Sequence, residues 1–384
     1  MNLSNRIRVA YALLFALAAF GCLWNLDDRR LWGDEAETAL LAANIVETGV
    51  PRVSDGQNTI SNLPGRRDAN ADGVWTWSPW LDEYVTAASL SVFGSTAWAA
   101  RLPFAMLGLL AVLLLARVAY RSYESHSVAL IATALLATCV PFLLHVRQAR
   151  YYAIVVFAQV WLLHGIRQSF RQPGWRAALH VALPLAVLFY SNYILALAPV
   201  LAVGAIALWR MRSHPDSFRC LAGAGGLFAA LAIPWLIYAA PWNQLGGLGA
   251  GSIPENIVYY VREAHRHVLP LWLLALPLGW LAVRRIRRIP APARPAPETQ
   301  ALEVFGGSIL VLSLVVYALS PFRFFRYLVP LIPVLFLLSS VYLTRAIGSA
   351  VLRTALVLVA IAASSLGWEQ SIRASSPAES AGVG

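Results

Sequence analysis

The sequence predicts an all-α integral membrane protein of about eleven transmembrane helices, with two amphipathic juxtamembrane helices in its first extracytoplasmic loop. Three observations carry this. Apolar residues make up 59% of the 384 and charged residues only 13%, with a mean hydropathy of +0.62. The apolar residues fall in repeated runs near the length that crosses a hydrocarbon core roughly 30 Å thick. The basic residues, all of them Arg, sit mostly in short breaks between those runs.

Taken in order, the expected spans are 9–26, 98–119, 127–145, 151–167, 176–191, 193–209, 219–239, 268–283, 301–319, 325–343 and 350–367. Arg6 and Arg8 precede the first, which is long enough to span and lacks a small-x-small cleavage site, so it reads as an uncleaved helix. A break of only Ser191-Asn192-Tyr193 separates the fifth and sixth. Arg residues favour the loops that are inside if the N-terminus is cytoplasmic. The chain is one membrane domain over 1–384, because no long polar block supplies a second. Residues 284–300, rich in Arg, Pro and Ala, read as a basic cytoplasmic linker.

The net charge of +11 raises nucleic acid as a partner, but its distribution fits topology and phospholipid contact instead. Cys22, Cys139 and Cys220 have no disulfide or metal spacing. No Gly-rich nucleotide loop is present, which argues against ATP-driven work.

Most of the acids fall early, in the long loop 27–97. Within it, Ala36, Leu40, Ala43 and Val46 share one helical face, ended by Gly49 and Pro51. Ser78-Pro79 opens a second helix through Phe93, with Gly94 just beyond. Both helices are expected to lie on the outer leaflet as a lid.

Four stretches could carry chemistry. In Leu31-Trp32-Gly33-Asp34-Glu35-Ala36, a carboxylate beside Trp at a membrane surface can be desolvated into a better base; equally, Asp34 and Glu37 have capping-box spacing. In the stretch from Val146 to Tyr152, Arg147 and Arg150 are three apart, so on one helical face they would fork a phosphate; snorkelling is the plain alternative. Arg323 and Arg326 repeat that spacing among Phe322, Phe324, Phe325 and Tyr327, where an aromatic belt explains the rings but not the paired Arg. Asp68, Asn70 and Asp72 before Gly73 match the opening of a calcium loop, with Asp82 and Glu83 in place of the missing twelfth ligand; a polar surface turn is the alternative. A divalent cation (Ca, Mg or Mn) is therefore a candidate cofactor.

These residues resemble the C-type glycosyltransferase superfamily (GT-C), in its group of protein O-mannosyltransferases and the aminoarabinose transferase of lipid A. The similarity lies in LWGDEAETALLAANIVETGVP (31–51), SPWLDEYVTAASLSVFGSTAWAARLPFAMLGLLAVLLL (78–115), VRQARYYAI (146–154) and FRYLVPLIP (325–333). The resemblance implies transfer of a sugar from a polyprenyl-phosphate donor to a lipid, glycan or protein acceptor, outside a bacterial-type inner membrane. It implies Asp34 as general base, with Glu35 as second choice. It further implies Arg147, Arg150 and Tyr151 at the donor phosphate, with Arg326 and Tyr327 near it; Arg323, from the second Arg pair, and Glu83 are further candidate substrate contacts. Two departures stand out: Trp77-Ser78 replace the Lys or His usual before Pro79, and the chain ends soon after its last span. A carrier of lipid-linked sugars and a structural subunit of an envelope complex are the rival readings.

Overall fold

The computed structural model describes residues 3–61, 68–243, 252–273, scattered positions from 275 to 287, 295–321 and 323–375, with side chains to Glu369. Its elements are helical. α1 (Leu3–Leu23) leads into a loop holding α2 (Gly33–Thr48) and α3 (Leu81–Phe93). Then follow α4 (Ala97–Tyr123), α5 (His126–Ala137), α6 (Val140–Val146), α7 (Tyr152–Arg171), α8 (Trp175–Ser191), α9 (Tyr193–Arg210) and α10 (Pro215–Ala239). α11 (Ile253–Glu263), α12 (Pro297–Leu319), a 3₁₀ segment Phe325–Leu331, α13 (Ile332–Ala346) and α14 (Ala350–Ser375) complete the chain.

Among the described residues, 8 helices are long and apolar enough to span, and α5 with α6 makes a ninth if taken as one broken span. α8 is apolar but shorter. Six residues of the expected span 268–283 and nine of the linker 284–300 lie outside the described residues. The expected straight span 127–145 is instead bent by 64° between α5 and α6. Pro141 explains the break: it has no amide proton to bond the Ala137 carbonyl and its ring crowds that carbonyl, so a new helix starts after the extended Cys139. Gly165 lets α7 approach α8 closely, since a Cβ there would lie 1.9 Å from the His180 carbonyl oxygen. Small residues serve such contacts in lipid, where packing rather than water exclusion holds helices together.

One apolar core runs from Ala18 in α1 to Ala360 in α14. A small second core of Leu41, Val53 and Trp75 anchors the loop 27–97. Both loop helices form where expected, and Gly49 closes α2 with a left-handed φ of 79°, which Gly adopts without a Cβ penalty. The side of α2 packed into the protein is a different one from the apolar face of Ala36, Leu40, Ala43 and Val46 that the sequence lays on the leaflet. Ala36 and Val46 are exposed, whereas Glu35, Thr38, Leu41, Ala42 and Ile45 are buried. An apolar count cannot find that stripe, because its first member is a carboxylate. The cap also differs: Trp32 precedes the helix and its amide donates to Glu35 Oε2 at 3.4 Å, leaving Asp34 in the first turn.

Candidate active site

Glu35 fixes the site's frame. It is fully buried and both of its oxygens are taken. Arg101, near the start of α4, donates from Nε to Oε1 at 2.8 Å and from Nη2 to Oε2 at 2.6 Å. The Ala149 amide donates to Oε1 at 2.9 Å. Arg101 also donates to the carbonyls of Leu26, Arg29 and Arg30. This one ion pair therefore ties the end of α1, α2, α4 and the α6–α7 turn together. Sequence reading missed Arg101; its signal was a charge inside an otherwise apolar helix, which needs a partner.

With Glu35 turned inward, its neighbour Asp34 faces the next side of α2. Asp34 Oδ2 accepts from Arg326 Nη1 at 2.6 Å and lies 3.9 Å from Arg150 Nη2. Arg150 Nη1 further donates to the Asp34 carbonyl at 3.2 Å, to Glu37 Oε1 at 3.0 Å and to Thr38 Oγ1 at 3.0 Å. Burial opposes the charge on Arg150, but Asp82 and Glu37 outweigh it and hold the guanidinium protonated above its ordinary range. The Nε atoms of Arg150 and Arg326 are buried and carry no hydrogen bond. Tyr151 and Tyr152 are buried against the cluster, and burial raises the Tyr151 hydroxyl above its usual range. Arg326 rests on the Phe324 ring, 4.0 Å from its centroid. Elsewhere, Leu328, Leu331, Leu310, Leu314 and Tyr317 border an apolar cavity of about 160 Å³.

The two expected arginine forks do not form. Residues three apart share a face only on a helix, and 147–151 is an irregular turn. Arg150 enters the cluster, while Arg147 donates to the carbonyls of Trp24 and Asn25. Likewise Arg323 precedes the 3₁₀ segment and pairs with Glu255 at 3.3 Å. Tyr327 is buried against Tyr317 and Phe324. Glu83 lies buried on α3 beside Asp82.

The turn at Asp68, Asn70 and Asp72 is closed by its own bonds. Asn70 Oδ1 accepts from the Asp72 and Val74 amides at 3.0 and 2.9 Å, and Asp68 is fully buried. Among the described residues no group of three or more His, Cys, Asp or Glu converges as a ligand set. As arranged, these residues do not fit a cation: the oxygen a metal would need from Asn70 is already spent within the turn.

Residues 78–238 match the family described as dolichyl-phosphate-mannose-protein mannosyltransferase. That stretch includes Arg147, Arg150 and Tyr151, but neither Asp34 nor Arg326. The fold is similar to ArnT from Cupriavidus metallidurans bound to undecaprenyl phosphate, with a TM-score of 0.57 and 16% identity over 90% of this chain. It is also similar to the apo form of that protein, at a TM-score of 0.60 and 18% identity over 88% of this chain. The chain spans only 61% and 60% of those two structures. No curated protein matches it. The architecture is the GT-C fold of a multi-pass membrane protein, as the sequence resemblance implied.

Proposed function

We propose that this protein transfers a sugar from a polyprenyl-phosphate donor to an acceptor hydroxyl at the extracytoplasmic face of a plasma membrane, with its N-terminus cytoplasmic. The observation that carries the reading is the meeting of Asp34, Arg150 and Arg326 within 2.6–3.9 Å, from parts of the chain far apart in sequence. Two guanidiniums beside one carboxylate suit a lipid phosphate with a reacting centre next to it. The unsatisfied Nε atoms leave donors for phosphate oxygens. The similarity of the fold to a protein solved with undecaprenyl phosphate supports the same donor class.

In this mechanism the donor phosphate displaces Asp34 from Arg326. The freed carboxylate then accepts the proton of the acceptor hydroxyl. The hydroxyl oxygen bonds to the anomeric carbon as the bond from that carbon to the phosphate oxygen breaks. The lipid phosphate leaves with the electron pair, its charge held by Arg150 and Arg326. Glu35 takes no part in proton transfer; it keeps Asp34 in place. No step needs a metal.

Incubating the purified protein with labelled polyprenyl-phosphate sugars and envelope extract should label one acceptor class. Asp34→Asn should abolish labelling while remaining folded. Labelling by that variant at the wild-type rate removes Asp34 from the mechanism, and transport of the intact donor across vesicles without product supports the carrier reading instead.

A further inference from the structure

The exchange at Arg326 asks more of that residue than its ion pair can give. Arg326 is held by Asp34 at 2.6 Å, yet that pair must open when a phosphate enters. Whatever keeps the guanidinium in place during the exchange cannot be Asp34. The 3₁₀ segment Phe325–Leu331 that carries it is a weak support alone, because 3₁₀ turns have poorer hydrogen-bond geometry than an α-helix. The hold has to come from the residues beside Arg326.

Phe325 is the neighbour that is gripped. Its ring is met from three separate elements: by His145 of α6 at 5.9 Å between centroids, by His267 at 5.7 Å edge-on, and by Trp368 of α14 at 5.7 Å. His267 and Trp368 also meet each other at 5.4 Å, so the two close one socket. All four separations fall in the range of roughly 4.5–7 Å where ring pairs attract beyond the area they bury.

Local geometry explains how these rings arrive. His267 sits in a π-helical turn, Ala264–Val268, closed by the Leu269 amide donating to the Ala264 carbonyl at 2.9 Å. Such wide turns are rare and occur frequently at functional sites. His267 Nε2 lies 3.2 Å from Glu263 Oε2, which orients the imidazole. Gly367 lets α14 dock straight onto the turn, since a Cβ there would lie 2.2 Å from the Arg266 carbonyl oxygen. Trp368, the next residue, is thereby delivered to Phe325. Its Nε1 is buried with no hydrogen-bond partner, so what it supplies is a ring. On the approach side, the buried Asn256 of α11 donates from Nδ2 to the carbonyls of Ala318 and Ser320 at 3.0 and 3.2 Å, pinning the end of α12 before the 3₁₀ segment begins.

We infer, on the donor reading above, that His267 and Trp368 are positioning residues for the transfer: through Phe325 they hold Arg326 at the phosphate position while Asp34 lets go of it. Neither touches the donor. The last helix therefore contributes to donor binding without placing a residue in the site.

The test is a double-mutant cycle on undecaprenyl phosphate binding in lipid nanodiscs, with wild type, Trp368→Ala, Arg326→Ala and the double variant, each checked by thermal unfolding. Trp368→Ala should weaken binding by about three- to tenfold, the worth of one or two ring contacts. Trp368→Phe, which restores a ring without the indole N–H, should bind within about twofold of the wild type. In the Arg326→Ala background, Trp368→Ala should cause no further loss, because the group it positions is gone. A loss of the same size with and without Arg326 overturns the inference, as does unchanged binding by Trp368→Ala. Where the alanine variant does not fold, Trp368→Leu fills the space without a ring and gives the same cycle. Failure of the wild type to bind brings down the donor reading and this inference together, whereas additive losses bring down the positioning role alone.

Discussion

Replacing Arg101 by Met isolates the contribution of the frame. The wild-type pair is interior, with side chains 10% and 1% exposed, so the surface value for an ion pair does not apply. Removing the guanidinium leaves Glu35 buried with one amide bond from Ala149 and a weak one from Trp32. Breaking such a pair from one side costs about 3–5 kcal/mol. The carbonyls of Leu26, Arg29 and Arg30 also lose their donor; those of the exposed Arg29 and Arg30 add only about 1 kcal/mol apiece at most, and that of the buried Leu26 about 1–3 kcal/mol. The second replacement, Glu35→Gln, removes the stranded charge, so the double variant should recover a large part of the loss. Reversible unfolding from lipid-detergent mixtures, followed by tryptophan fluorescence, gives the four corners of the cycle. The coupling should be at least about 2 kcal/mol. A single-variant loss under about 1 kcal/mol, or strictly additive effects, would refute the account of Glu35 as a clamp.

Other outcomes follow from the same geometry. Arg326→Ala removes both a phosphate donor and the partner of Asp34, and transfer should fall about 10²–10³-fold in kcat/KM. Arg323→Ala breaks only a half-exposed pair with Glu255, so transfer should stay within about twofold and stability within about 1 kcal/mol; a loss matching that of Arg326→Ala would show that Arg323 reaches the donor. Gly165→Ala places a methyl 1.9 Å from the His180 carbonyl oxygen, and should cost about 1–3 kcal/mol or more in thermal unfolding by forcing α7 and α8 apart. Asn70→Ala should loosen the turn at 68–74 without abolishing transfer, read out as faster proteolysis there in an otherwise active protein.

Much of this was legible in the sequence, for identifiable reasons. Spans are legible because lipid allows few backbone solutions and demands long apolar runs. Asp34 stood out because its local pattern matched a known one, and the structure brings it to Arg150 and Arg326. Which arginine of each pair enters the site was not legible. Spacing of three means a shared face only in a helix, and proline at 141 and 330 breaks regular α-helix near both pairs. The side of α2 that packs into the protein was not legible because Arg101, 66 residues away from Glu35, makes a carboxylate an interior residue. Periodicity counts apolar side chains and has no means of recording a partner that distant.

The central claim is that Asp34 and an incoming phosphate compete for Arg326. Equilibrium binding of undecaprenyl phosphate to the wild type, Asp34→Asn and Arg326→Ala, in nanodiscs at one pH, tests it most directly. Asp34→Asn should bind as tightly as the wild type or more tightly, because Arg326 loses its internal counter-ion, and yet transfer nothing; Arg326→Ala should bind at least about tenfold more weakly. Weaker binding by Asp34→Asn together with unchanged binding by Arg326→Ala would contradict the account.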